Sequence, residues 1–120
     1  MTSQFAPMAE PPYYVVIFTN KHNAPDDADY ETAGQAMEEL AKTMPGYLGF
    51  EAARGEDGFG FAISYWESEE AIANWKRQAV HLEMQKRGRS DWYEFYNVRI
   101  AKVERAYSMK TNKMGKENSK

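Results

Sequence analysis

The sequence predicts an α+β domain: a four-stranded antiparallel sheet carrying two helices on one face. Three observations carry this. Four segments rich in β-branched and aromatic residues recur along the chain, at 13–21, 47–55, 59–66 and 96–107. Between the first and second of these, and again between the third and fourth, apolar residues return at steps of three and four. The second and third are joined by Glu56-Asp57-Gly58, a tight hairpin signal. The chain has 120 residues, enough for one domain with a core that needs no staples.

Each element has a local reason. Residues 1–12, "MTSQFAPMAEPP", hold three prolines and read as an extended N-terminal arm. "YYVVIFTNK" follows as the first strand, apolar on both faces and therefore expected to be covered on both. "HNAPDDAD" is a turn-rich connection in which Asp27 or Asp29 can cap a helix. Tyr30, Ala33, Met37, Leu40, Ala41 and Met44 then share one helical face, and Pro45-Gly46 ends the run. The second strand, the Asp57-Gly58 turn and the third strand follow. Ser68 is placed to cap a second helix whose first turn holds Glu69 and Glu70, with Ile72, Trp75, Ala79 and Leu82 as its buried stripe. That helix is expected to end near Gly88, with one further turn in "RSDWYEF" before the last strand. Residues 108–120 are polar and lysine-rich and read as a disordered tail. The order β-α-β-β-α-β over 13–107 is the ferredoxin-like split βαβ pattern. Its helices cover one side of the sheet only, so a second copy packed sheet to sheet, a homodimer, is expected on the other.

Composition narrows the function. A net charge of -3 gives no basic field for nucleic acid. The absence of cysteine removes disulfides, thiolate metal sites and cysteine nucleophiles. No apolar run has the length of a membrane span, and the N-terminus lacks the pattern of a secretory signal, so a cytoplasmic protein without membrane or nucleic-acid partners is expected. "GEDGFG" lies between two strands and opens no helix, which makes it a hairpin turn and not a phosphate loop. Aromatic residues are 14% of the chain, a share that suits a pocket wall or a subunit interface.

Several side chains could carry chemistry. Asn74, Gln78, His81 and Gln85 fall at steps of four, three and four along the second helix, beside the face of Trp75. An imidazole there can serve as base, ligand or hydrogen-bond partner, and it is also what a solvated helix face carries. His22 stands in an acidic loop that solvation explains as well as a metal would. Trp92, Tyr93, Tyr96 and Arg99 form a further group, able to hold an oxyanion or to pack at an interface. Asn20 ends the first strand, where its amide can orient a carbonyl or hydroperoxide.

The segment "YWESEEAIANWK", set in this element order, resembles the antibiotic biosynthesis monooxygenase superfamily of dimeric α+β barrels. "PGYLGFEAAR" is similar to that superfamily's second strand, and "HLEMQKRGRSDWYEFYNVRIAKVER" to an uncharacterised branch of it. The resemblance spans Tyr13 to Tyr107 and implies fold and dimerisation more sharply than reaction. The superfamily includes cofactor-free oxygenases of polycyclic quinols and haem-degrading enzymes. Trp75 matches the helix tryptophan beside the substrate or haem, and Asn20 lies near the oxygenases' first-strand amide. The haem ligand's position falls on Gln85, an amide that ligates iron poorly, with His81 about one turn earlier; this disfavours a standard haem site. The resemblance thus implies a pocket between the second helix and the sheet, bordered by Asn74, Gln78, His81 and Gln85 and walled by Trp66, Trp75, Trp92 and Tyr93. In it a small aromatic or quinol-type ligand would meet dioxygen without a cofactor, with His81 as base, Tyr96 and Arg99 on the anion and Asn20 on an oxygen. A haem-binding or haem-degrading protein, and a non-catalytic dimeric ligand-binding protein, are the alternatives.

Overall fold

The computed structural model describes residues 5–22, 37–85 and 93–109, with the side chains of 22, 80–85, 93 and 94 left aside. The described residues form β1 (Tyr13–His22), a helix α1 that is helical over 37–43, β2 (Tyr47–Arg54), β3 (Phe59–Trp66), α2 (Glu69–Gln85) and β4 (Tyr93–Val103). The strands make one sheet in the order β2-β3-β1-β4, antiparallel throughout. This is the ferredoxin-like β-α-β-β-α-β fold. Among the described residues no helix is long and apolar enough to cross a membrane.

The turn between α1 and β2 is shaped by a glycine. Gly46 has a φ of +88°, a conformation that side chains disfavour. It also lies so close to α2 that a Cβ there would come within 2.6 Å of the Ala71 Cβ. Its carbonyl accepts a hydrogen bond from Glu67 N–H at 2.8 Å, tying the start of β2 to the end of β3. At the opposite end of β2, Gly58 N–H closes a turn on Gly55 O at 3.1 Å, and Gly58 itself has a φ of +91°. Gly55 belongs to this turn, which is why β2 stops at Arg54 and not at Gly55 as the sequence suggests.

α2 starts where the sequence predicts. Ser68 Oγ accepts from Ala71 N–H at 3.0 Å, and Ser68 O takes the first helical bond from Ile72 N–H at 3.3 Å. Its inward residues Ala71 and Ile72 join Val16, Ala41 and Trp66 in the core, with Tyr14, Met44, Tyr47 and Trp75 packed around them. Trp66 and Ala41 are wholly buried. Of the predicted α1 stripe, Ala41 is buried and Met37, Leu40 and Met44 are half-buried; Tyr30, Ala33 and the Asp27 or Asp29 cap lie outside the described residues, as do the "RSDWYEF" turn up to Trp92, the end of α2 near Gly88 and the tail beyond 109.

β4 differs from its sequence reading. It runs over Tyr93–Val103, where the β-branched and aromatic run suggests 96–107. The cause is its partner. β4 pairs along the whole of β1, from His22 opposite Tyr93 to Tyr13 opposite Val103. Beyond that point β1 has given way to Pro11 and Pro12, which cannot donate to a ladder. Among the described residues, 104–109 therefore have no strand to pair with.

On the sheet face away from the helices, part of the N-terminal arm is fixed. Ala6 N–H donates to Glu51 Oε2 at 2.9 Å, and a Cβ on Gly49 would sit 2.7 Å from that of Ala6. Glu51 Oε1 accepts from the Tyr65 hydroxyl at 2.7 Å. The rest of this face keeps Phe59, Phe61 and Phe95 exposed.

Candidate active site

Alternation along the strands assigns each residue to a face. Val16 and Trp66 belong to the helix-side core, so Tyr14, Phe18 and Asn20 of β1 share their side. By the registers, Arg54 of β2, Gly60 and Ser64 of β3, and Tyr96, Val98 and Ile100 of β4 do so too. Two clusters stand on this face. One is centred where Tyr14 meets Trp66, the other where Asn20 meets Gly60. Six residues of strand separate them, about 20 Å.

The first cluster is aromatic. Trp66 and Trp75 lie with ring centroids 5.3 Å apart and planes tilted 30°, and Tyr47 meets Trp66 edge-on at 5.7 Å. Trp66 Nε1 donates to Ser64 Oγ at 2.8 Å, so this indole is satisfied within the core. The Trp75 Nε1 is buried and makes no hydrogen bond among the described residues. A buried donor left unpaired costs about 1–3 kcal/mol. Burial, then the Glu38 carboxylate, raises the Tyr47 hydroxyl above the ordinary phenol range, keeping it a neutral donor.

The second cluster is polar and built across three strands. Asn20 is 3% exposed. Its Oδ1 accepts from Arg54 Nη2 at 2.7 Å, while its Nδ2 reaches Phe18 O only at 3.4 Å. Arg54 Nη1 donates to Gly58 O in the hairpin turn. Arg54 stands on β2 and Asn20 on β1, with Gly60 of β3 in register between them. The guanidinium thus crosses the position where β3 has no side chain. Gly60 is needed there for a second reason, since a Cβ would fall 2.4 Å from Ala53 O and 2.9 Å from Arg54 Cα. Tyr96 stands opposite Asn20 on the other side, its ring 5.3 Å from that of Phe18. Next along β4, Val98 and Ile100 are each 51% exposed and extend an apolar floor from this point.

The structure brings some of the predicted residues together and separates others. Asn20 and Tyr96 are cross-strand neighbours, and Trp66 and Trp75 are in ring contact. Arg99 does not join Tyr96: it pairs with Ile17, is exposed, and occupies the face away from the helices. Residues three apart on a strand point to opposite sides, so within one chain these two cannot hold the same anion. Gln78 is exposed, and half-buried Asn74 accepts from Arg77 Nη2 along the helix surface, so this half of the expected line faces outward. His81 and Gln85 are in α2, His22 ends β1 and Tyr93 begins β4, but their side chains, like all of Trp92, lie outside the described residues. Among the described residues no group of three or more His, Asp or Glu side chains comes together as a metal site.

Arg54 is the residue that the sequence reading passed over. Its signal was parity: after Phe50 and Ala52 it is the helix-side position of β2 that carries a charge.

Comparison with known proteins gives three kinds of match. The family described as antibiotic biosynthesis monooxygenase matches residues 13–87. The uncharacterized protein YqjZ of Bacillus subtilis (strain 168) is 47% identical over 96 residues, which cover 80% of this chain and 83% of that protein. Among solved structures, PA3566 from Pseudomonas aeruginosa superposes with a TM-score of 0.59 at 19% identity, covering 81% of this chain and 97% of that one. A point mutant of SnoaB, a cofactor-independent oxygenase from Streptomyces nogalater, superposes with a TM-score of 0.62 at 14% identity, covering 79% and 95%. At these identities the two structures speak for the fold.

Proposed function

Since the chain belongs to the antibiotic biosynthesis monooxygenase family, we propose that it is an oxygenase that oxidises a small phenol or quinol with dioxygen and needs no cofactor. The observation that carries the reading is Asn20. It is a buried amide with an underused donor, held by Arg54 at the end of an apolar floor made by Phe18, Tyr96 and Val98. A flat aromatic ring fits such a floor, and its oxygen can meet the amide. The cofactor-independent SnoaB shares the fold, which supports the same chemistry here.

The reaction asks little of the protein. A base removes the phenol proton, and His81 of α2 is the residue proposed for this. The phenolate passes electrons to dioxygen and a C–O bond forms at the para carbon, giving a hydroperoxide. Loss of one water from it leaves a quinone, so one phenol and one dioxygen give one quinone and one water. Donors around the oxygen stabilise the phenolate and the developing charge.

The active unit is proposed to be a homodimer joined through the sheet faces that point away from the helices. Phe59, Phe61 and Phe95, all exposed on that face, support this pairing.

An oxygen electrode tests the function. With 1-naphthol as probe the protein is expected to consume one dioxygen per quinone formed. Asn20→Ala is expected to lower the rate by about 100- to 1000-fold, the usual cost of one oxyanion donor. Turnover unchanged in Asn20→Ala, or no uptake above the uncatalysed rate across a panel of naphthols and hydroquinones, would set the reading aside.

A further inference from the structure

We propose that Arg54 is a positioning residue that fixes the Asn20 amide and so makes this subsite selective for a hydrogen-bond acceptor: a phenolate or quinone oxygen rather than a neutral donor group. The inference rests on the reading that the helix-side face takes an aromatic ligand, and it adds which oxygen that ligand must carry.

An asparagine amide has two ends, a carbonyl that accepts and an NH2 that donates, and left alone it can present either. Arginine has five N–H groups and no acceptor, and it keeps its charge. The Asn20 atom 2.7 Å from Arg54 Nη2 must therefore be the carbonyl oxygen. The NH2 end then has one orientation left, and there, among the described residues, it makes a single long contact of 3.4 Å with Phe18 O. Asn20 is 3% exposed, so water is a poor substitute partner. What the subsite offers a ligand is N–H, with the arginine's positive charge behind it. An anionic oxygen gains from both; a ligand N–H or O–H donor meets a donor.

The reach of Arg54 is built into the sheet. Its side chain crosses β3 over Gly60, and its other nitrogen holds Gly58 O in the β2–β3 turn. The hairpin thus anchors the guanidinium at one end and the amide at the other.

The test has two arms. The first uses free, 15N-labelled protein. The Asn20 Nδ2 protons are expected to give their strongest cross-peaks to Phe18; Nδ2 protons whose strongest cross-peaks run to the Arg54 guanidinium would overturn the proposal. The second measures binding of two probes by calorimetry: 2-hydroxy-1,4-naphthoquinone, an anion at neutral pH whose oxygens only accept, and 1-aminonaphthalene, whose nitrogen donates. The wild type is expected to prefer the anion. Asn20→Asp leaves Arg54 an acceptor but replaces the NH2 by a second oxygen; it is expected to stay folded and to bind the anion about tenfold or more weakly. Arg54→Ala frees the amide to turn and is expected to lose the preference between the probes, and Arg54→Lys, which still donates to Oδ1, to retain much of it. A folded Asn20→Asp or Arg54→Ala protein that keeps the wild-type preference sinks the role given to Arg54 while leaving the aromatic-ligand reading standing. A wild type that binds neither probe sinks that reading and this proposal together.

Discussion

At the scale of single residues, small groups in constrained places matter more than large ones. Gly46 combines a left-handed backbone with a Cβ direction that points into Ala71 at 2.6 Å. Gly46→Ala is expected to cost about 1–3 kcal/mol in urea unfolding. Gly55→Ala is the control, because a Cβ there would meet its nearest neighbour, Asp57 Oδ1, at 3.3 Å, and its loss should be clearly smaller. Tyr65 gives a pH signature. Burial, followed by its hydrogen bond to the Glu51 carboxylate, holds its hydroxyl well above the ordinary phenol range. The unfolded hydroxyl ionises near pH ~10 while the folded one stays protonated, so the native state keeps the extra proton. Stability from this group is complete below that pH and falls as pH rises through it. In thermal melts from about pH 9 to 11, Tyr65→Phe is expected to start from a lower Tm, having lost the bond to Glu51, and to fall less steeply than the wild type. An equal slope would mean that Tyr65 does not differ between the two states.

At the scale of elements, ends are set by hydrogen bonds that have nowhere else to go. Ser68 Oγ holds Ala71 N–H at the start of α2. Ser68→Ala is expected to cost about 1 kcal/mol, and Ser68→Asp to cost little, since a carboxylate caps as well and favours the helix N-terminus. Chemical denaturation of both variants distinguishes a cap from a residue that merely tolerates its place. The strands follow the same rule through pairing. β4 is placed by the length of β1, and β2 ends where the turn at Gly55–Gly58 begins. Register also decides the chemistry: it puts Asn20 between Tyr96 and Gly60 and, one strand further, in reach of Arg54.

At the scale of the whole molecule, helices pack on one face of the sheet, leaving Val98 and Ile100 of β4 open, and the other face is covered only in part by the arm. The arm secures the second face near Glu51, Gly49 and Tyr65, but Phe61 and Phe95 remain 40% and 65% exposed. Exposed phenylalanines on a flat face favour association. The double variant Phe61→Asp/Phe95→Asp is expected to be a monomer by light scattering at concentrations where the wild type is a dimer. If the wild type is itself a monomer throughout, the proposed homodimer is wrong; if the variant stays dimeric, the copies meet elsewhere.

The sequence by itself determined the elements and their order. β-branched and aromatic runs, a serine before two glutamates, a Pro-Gly stop and an Asp-Gly turn are local signals, and each acts over a few residues of its own chain. It also held more than was read from it. Counting parity places Tyr96 and Arg99 on opposite faces, and it sets Arg54 on the same face as Phe50 and Ala52. Tertiary structure alone decided the rest. That β4 slides along β1 to stop at Val103, that Gly60 leaves a path over β3, and that a guanidinium from one strand holds an amide two strands away all depend on register between segments far apart in the chain. Local propensity carries no record of register, because one strand can pair at several offsets with similar local energy and only the packing of the whole face selects among them.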